Sequence, residues 1–491
     1  MKNKAKAIIS FILIAVSCFA LFAVSGSTTN AHAADNSLTQ VKKKGTLVVA
    51  ISPDYPPYEF QVEKNGKNKI VGMDVDIVNK MAKDLGVKPV FKSMSFNSVL
   101  TAIETGKADM AIGGINPTDE RRQSVDFSKI YYMGGQSFLI NKKDAGAIKS
   151  VKDLQNQKIG AQTGSLQYDL AKKRIKGANV KGMDKTPDLV LALKTNKLKA
   201  VGVEKPVAEA YVKNDKTLKA IPSGYKMNTN EIGAAIAFKK GSSSLVAAAN
   251  KSIDDIKKNN LTDGYLADAG KYMKVNTADT SMGHYWTYFA SGIEYTLLIS
   301  VIASFFGVLL GVILALLRFS KLGFLRAISM AYTEFVRGTP LMVQVMFVYF
   351  GIGVIVNIPA LLSGIIAVSL NSGAYVAEII RGGINSVNKG QTEAAESLGL
   401  ARGDVMRFVV LPQAFKNIWP ALGNEFISLI KESSIVSIIG VTDLIYQTNI
   451  VRANTYRGVM PIFVTMIIYF VVTFLLTRVL NYFERKMKHA E

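Results

Sequence analysis

Apolar residues follow two regimes along this chain, and the regimes meet near residue 280. Beyond 285 they form long blocks, at roughly 294–317, 340–357, 359–379, 418–440 and 460–480. Each is near the ~20 residues a helix needs to cross a bilayer. The fourth block contains Lys431 and Glu432. Charges in a span are costly unless they pair, line a polar cavity or snorkel to the interface, and all these readings stay open for this pair. Glu378 and Gln344 are further polar residues within these blocks.

Between about 35 and 275 the apolar runs are short and alternate with amphipathic stretches. "GTLVVAISPDYPPYEF" (45–60) predicts a buried strand ending in a Pro-rich turn, and "VGMDVDIVNKMAKDLGV" (71–87) an amphipathic helix with a glycine stop. "KADMAIGGINPTDERRQSVDFS" (107–128) predicts a second strand, a Gly-rich end and an Arg-bearing turn. "QKIGAQTGSLQYDLAKK" (157–173) and "LKAVGVEKPVAEAYV" (198–212) repeat the theme. Strands alternating with helices imply a parallel sheet that binds ligands beyond its strand C-termini. Two such sets imply two α/β lobes facing a cleft, joined by crossovers near 131–140 and 228–238.

The N-terminus places this soluble half. Lys2, Lys4 and Lys6 precede the apolar "IISFILIAVSCFALFAV", and "AHA" ends at Ala33. That order is typical of a secretory signal peptide over 1–33, cleaved or retained as an anchor. The net charge is +22, and beyond residue 275 sixteen Lys and Arg stand against twelve Asp and Glu, so most of the basic excess lies in the first part. A basic domain alone suggests nucleic acid, but one facing outward meets anionic lipid and wall polymer, so no nucleic-acid partner is expected. Cys18 lies inside the leader, so the mature ectodomain has no thiol chemistry. His32, His284 and His489 are scattered and form no metal-type cluster, and the chain carries no Gly-x-x-x-x-Gly-Lys-Ser/Thr loop for ATP.

Lys and Arg also orient the spans. Arg318, Lys321, Arg326 and Arg337 follow the first; Arg381, Lys389, Arg402, Arg407 and Lys416 the third; Arg478, Arg485, Lys486 and Lys488 the fifth. The opposite side carries Arg452 and Arg457. Five spans with the first loop outside put the C-terminus in the cytoplasm, with the soluble half extracellular on the plasma membrane.

The largest cytoplasmic loop then contains "EAAESLGLARGDVMRFVVLPQA" (393–414). Ala394, Leu398, Ala401, Val405 and Phe408 recur at helical spacing, and Gly399 interrupts the stripe. The expected shape is two short helices meeting at Gly399, the second stopped by Pro412 before the next span. Glu393, Ala394 and Ala395, then Gly399, then Leu411 and Pro412 resemble the cytoplasmic loop of ABC-importer permeases, with Val409 where that family usually has Ile. "EFVRGTPLMVQ" (334–344) and "NSGAYVAEIIRGGINSV" (371–387) resemble the branch that imports polar amino acids. In that family the loop, here 391–412, docks on a separate ATPase, which binds ATP with Mg; this chain is then no enzyme and binds no cofactor or metal itself. Two permease copies enclose the path, which implies a homodimer in membrane lipid.

Residues 44–273 resemble the solute-binding proteins for polar amino acids, most closely through "GGINPTDERRQSVDFS". The resemblance implies that Arg121 grips the ligand α-carboxylate with a guanidinium fork. Gly114 and Asn116 align with backbone-binding positions, Ser165 and Leu166 with amides for the carboxylate, and Glu204 with the acceptor of the α-ammonium, where the family usually has Asp. Tyr55 and Phe96 match an aromatic pair that sandwiches the ligand side chain, and Ser52, Gln162 and Val203 match positions at its distal end. None of these three is charged, which favours glutamine; arginine, histidine or a broad polar range are the alternatives.

The whole then reads as a two-lobed α/β, periplasmic-binding-protein-like (type II) ectodomain over 34–274, a tether at 275–286, and an all-α, five-span ABC permease domain over 287–491. Tethering suits a cell without an outer membrane. An amino-acid-gated channel would interrupt the binding domain with its pore, a kinase sensor would need cytoplasmic catalytic motifs, and an enzyme on the binding-protein fold, such as a dehydratase, would not need the permease half.

Overall fold

The computed structural model describes residues 35–64, 67–275, 281–455 and 459–488. The leader with Cys18, and residues 276–280 of the tether, lie outside the described residues.

The soluble half forms two lobes, each around a five-stranded sheet. In lobe one the strands run in the order Lys88–Ser93, Thr46–Ile51, Met110–Ala111, Gly233–Lys239, Val125–Met133. In lobe two the order is Asn179–Met183, Lys158–Gln162, Ala200–Glu204, Gln136–Asn141, Leu218–Pro222. Three strands of each sheet are parallel, as the strand–helix alternation predicts, and the other two pair antiparallel. This departs from the all-parallel expectation because the antiparallel strands carry the chain between lobes. Val125–Met133 passes directly into Gln136–Asn141 through Gly134 and Gly135, and Leu218–Pro222 returns through 223–232 into Gly233–Lys239. A direct crossing leaves no room for the helical crossover that parallel neighbours require.

Helix Met73–Leu85 shows how local sequence sets these elements. Asp74 and Asp76 lie in its first turn, where the helix dipole favours negative charge, and Gly86 ends it at φ +71°. Its apolar stripe of Ile77, Val78 and Met81 packs with Leu47 and Val49 of the strand Thr46–Ile51. The Arg-bearing turn is a short helix, Asp119–Ser124, capped by the Thr118 hydroxyl, which accepts from the Arg121 amide.

In the second half, Trp286–Phe319, Ala360–Asn385 and Val459–Arg485 are each long and apolar enough to cross a membrane. The second and fourth expected spans instead fall within bent pairs. Gly323–Arg337 and Leu341–Val354 meet at 104°, and Arg402–Ile439 and Leu444–Thr455 at 58°. The described residues therefore hold three straight candidates, or up to five spans if each bent pair is one. Gln344 serves the first bend: its amide donates to the carbonyls of Val336 (2.7 Å) and Thr339 (3.1 Å), and its oxygen accepts from Asn371 (3.0 Å). Glu378 is held by Arg381 at 2.8 Å and Arg337 at 3.5 Å. Lys431 and Glu432 end the helix Leu411–Glu432 and are exposed in the chain taken alone.

The elbow at 391–412 departs from expectation in one respect. Gly399 separates the first helix, Lys389–Ser397, from the second at φ +85°, as the sequence suggests. Pro412, however, does not stop the second helix. Arg402–Asp404 runs through a wide turn at Val405–Val410 straight into Leu411–Glu432. Pro412 therefore lies inside a continuous helical run, and the turn just before it has the wider i→i+5 spacing, which accommodates the missing N–H.

Candidate functional site

The cleft between the lobes gathers most of the residues expected to bind a ligand. Glu204 ends the strand Ala200–Glu204 in lobe two, is 1% exposed, and points across to lobe one. Its carboxylate accepts from the Tyr58 hydroxyl and from the Asn116 amide at 3.1 Å, and its backbone N–H donates to the Tyr55 hydroxyl at 2.9 Å. Burial pushes the carboxyl up to about 7, against the lowering effect of Tyr58, Asn116 and the Arg121 charge.

Arg121 spans the same cleft. Nη1 donates to the Asn116 carbonyl in lobe one and Nη2 to the Gly164 carbonyl in lobe two, each at 2.9 Å. Phe96 lies beneath the guanidinium, 5.8 Å from ring centre to Cζ. Gly114 adopts φ +58°, and its amide donates to Asp74 (3.1 Å) and the Tyr131 hydroxyl (3.3 Å). A β-carbon there would lie 3.4 Å from the Tyr55 ring, so a residue without a side chain keeps backbone and aromatic ring together.

Other expected residues have different partners from those assigned. Tyr55 stacks on Tyr58, 5.8 Å between centroids and 10° between planes, while Phe96 serves Arg121. The Ser165 amide donates to the Gln162 carbonyl at 3.1 Å, and its hydroxyl caps helix Leu166–Arg174 by accepting from Tyr168. Of the two amides expected to meet a carboxylate, that of Ser165 is thus engaged within its own turn. Leu166 and Val203 are buried, and Gln162 donates to the Asp184 carbonyl at 3.0 Å.

Sequence reasoning passed over a second layer of acids. Asp74 accepts from Tyr131 at 2.8 Å beside the fully buried Glu59, and burial raises both carboxyls, Asp74 to about 7. Asp54 is 8% exposed and pushed up to about 7 by burial, opposed by Lys185. With Ser52 and Asp184 it lines a cavity of about 220 Å³ that continues to the permease. Of these acids, Asp54 alone stood two residues from an expected contact, Ser52, and so gave a signal in the sequence.

At the elbow Ala395 is buried with Val405 and Val410, while Leu398 is 84% and Phe408 63% exposed. Glu393 and Ala394 share the first helix with Ala395; Leu411 and Pro412 open the helix that returns to the membrane.

Comparison with known proteins matches both halves. Residues 47–267 match the bacterial extracellular solute-binding proteins, family 3, and residues 307–489 match the inner membrane component of binding-protein-dependent transport systems. A putative glutamine transport system permease protein, GlnP, of Rickettsia bellii is 43% identical over 202 residues, 41% of this chain and 93% of its own length. The chain belongs to the binding-protein-dependent ABC importers. The importer's permease half is likewise 43% identical over 199 residues to the arginine transport system permease protein ArtQ of Bacillus subtilis, 40% of this chain and 91% of that protein. Its binding half is 34% identical over 254 residues to the arginine-binding extracellular protein ArtP of the same species, 50% of this chain and 92% of that one. A solute-binding protein and a permease subunit are thus joined in one importer polypeptide, which is a transporter component and no enzyme.

Proposed function

We propose that this importer captures a polar L-amino acid between its outer lobes and passes it through a path formed by two copies of its permease half. The observation that carries this reading is the convergence of Arg121, Asn116 and Glu204 from both lobes on one buried cleft. A guanidinium fork and a carboxylate opposite it match the two charged ends of an amino-acid zwitterion. Ligand carboxylate would replace the carbonyls now held by Arg121, and ligand ammonium would share Glu204 with Tyr58 and Asn116. By bridging the lobes, the ligand favours their closure about 134–135 and 223–232. Each bent helix pair counts as one span, giving five, with the C-terminus in the cytoplasm. The exposed Leu398 and Phe408 of the elbow would fill a groove on a separate ATPase that supplies the ATP chemistry.

Glu204 makes capture pH-dependent. Above about 7 the carboxylate is ready for an ammonium. Below it the free site holds a proton that ligand must displace, so affinity falls as pH drops, by at most about tenfold per unit. Titration calorimetry of the full chain in buffers of different ionisation enthalpy should show proton release on binding near pH 6. With glutamine as ligand, whose neutral side chain does not engage Asp54, Glu204→Gln should bind more weakly and lose the pH dependence; an unchanged pH profile in that variant would place the ammonium elsewhere.

Two side-chain classes compete for the distal end. Ser52, Gln162 and Val203 suit the neutral amide of glutamine. Asp54 and Asp184 line one cavity with Ser52, and a buried carboxylate gains from a cation; this favours arginine as the tighter ligand. Competition of labelled arginine by glutamine tests the choice. Asp54→Asn is expected to lower arginine affinity about tenfold, the scale of one charged partner, and to leave glutamine within about twofold. Equal losses for both would remove Asp54 from selectivity.

A further inference from the structure

Behind the cleft, two acids share a space that holds too few donors. Glu59 begins the strand Glu59–Lys64, and Asp74 lies in the first turn of helix Met73–Leu85. Both are fully buried, and their carboxyls lie within hydrogen-bond reach of each other. Tyr58 reaches into the cleft toward Glu204, and successive strand residues point to opposite sides, so Glu59 turns away from the cleft and onto the helix. Asp74 Oδ2 accepts from the Tyr131 hydroxyl (2.8 Å) and the Gly114 amide (3.1 Å). Asp74 Oδ1 and both Glu59 oxygens are buried and meet no donor among the described residues.

Buried polar atoms without a partner are rare in folded proteins, and a proton on one of two adjacent carboxyls supplies the missing donor. Two carboxylates at one buried site do not both ionise. The helix dipole and the two donors on Oδ2 favour charge on Asp74. Glu59 has neither, so the proton belongs to Glu59. The charged groups that act on Glu59 most are Asp74, Asp54 and Glu204, all acidic, and the phenols of Tyr55 and Tyr131 stand near it. Burial acts in the same sense, raising Asp74 to about 7 and Glu59 well above the ordinary carboxyl range.

Two glycines connect the pair to the cleft. Gly113 lies flat against Glu59, where a β-carbon would stand 2.7 Å from Oε1. Gly114 hangs on Asp74 by its amide, and its α-carbon side meets the Tyr55 ring. The backbone at 113–114 is thus clamped between the acid pair and an aromatic ring of the cleft.

We propose that Glu59 is a positioning residue for amino-acid capture: it donates a retained proton to Asp74, and so keeps the anion that holds the Gly114 amide in place. This rests on the amino-acid-binding reading above, because Gly114 is one of the backbone positions that reading sets against the ligand. Without the proton, two anions would face each other in full burial, and the Gly114 anchor would shift.

The test joins infrared spectroscopy to calorimetry on the full chain in lipid nanodiscs. At about pH 8.5, far above the usual carboxyl range, the parent should show a protonated-carboxyl stretch that shifts in heavy water and is missing from Glu59→Gln. Subtracting the two spectra cancels every other protonated acid. In titrations with glutamine and with arginine, Glu59→Leu should weaken binding about tenfold or more, the scale of a buried acceptor left without its donor. Glu59→Gln, whose amide supplies a donor to Asp74 without a titrating proton, should restore affinity to within about twofold of the parent, less than one hydrogen bond.

A difference spectrum without the band would overturn the retained proton. Glu59→Leu binding like the parent would overturn the positioning role. Glu59→Gln that fails to fold, or folds and binds as weakly as Glu59→Leu, would show that the carboxyl itself is needed and not its proton. If neither amino acid binds the parent, the substrate class fails and the role in capture falls with it, while the band still reports whether Glu59 holds a proton.

Discussion

Replacing Arg121 by alanine is expected to abolish amino-acid binding to the outer domain, weakening it at least about 100-fold. Two charge-assisted hydrogen bonds to a carboxylate, at about 1.5–3 kcal/mol each, set that scale. The loss has two sources. The ligand carboxylate forfeits its fork, and the lobes forfeit a tie, because Arg121 joins Asn116 of lobe one to Gly164 of lobe two. Arg121→Lys separates them: it keeps the charge but cannot form the planar pair of bonds, so it should recover only a small part of the affinity. Calorimetric titration of the full chain measures both variants. A variant Arg121→Ala that binds within about threefold of the parent, well below one such hydrogen bond, would remove Arg121 from the site.

The second large effect concerns transport without binding. Leu398→Asp with Phe408→Asp is expected to reduce uptake to background while amino-acid affinity stays within about twofold. Both side chains already face outward on the elbow, at 84% and 63% exposure, so the substitutions open no cavity and surface changes of this kind cost little stability. Placed in an apolar groove of an ATPase, each carboxylate would instead be buried without a partner, at a cost of several kcal/mol. Gly399→Ala should act more mildly. Its β-carbon would meet nothing within 4 Å, but φ +85° is a strained conformation for alanine, worth about 1–2 kcal/mol. Uptake and calorimetry on the same preparations check the separation, and parallel loss of binding and uptake would show that the elbow variants damage the whole fold.

Periodicity carried most of the architecture. Continuous apolar blocks marked the membrane half, and the alternation around Leu47, Val49, Ile77 and Met81 marked a sheet with its helix, because burial on one face is written directly into residue spacing. The crossing strands were less legible, since their antiparallel pairing follows from the chain changing lobes and not from any local pattern. The same holds for the bend held by Gln344, whose partners Val336, Thr339 and Asn371 come from three segments. Pro412 misled for a different reason: a proline reads as a stop, yet a wide i→i+5 turn just before it lets the helix continue past the missing donor.

Within the cleft, Arg121, Asn116 and Glu204 were placed by resemblance to a family and come together in the structure. Tyr58, Asp74 and Tyr131 escaped notice because each reads as an ordinary core or helix-start residue until the fold brings it behind Gly114 or Glu204. The neutral reading of the distal end failed to include Asp54, two residues beyond Ser52, because a turn folds its carboxylate back toward the same cavity.

The central claim is that one polypeptide both captures an amino acid and carries it inward at the expense of ATP. Uptake of labelled arginine and glutamine tests it most directly, in cells that lack their own importers for both and are supplied with this chain and an amino-acid ABC ATPase. Accumulation against a gradient that stops on ATP depletion, and is absent with Arg121→Ala, is the predicted result. Downhill flux of either amino acid that persists without ATP, or without the ATPase, would contradict the account and point to a channel.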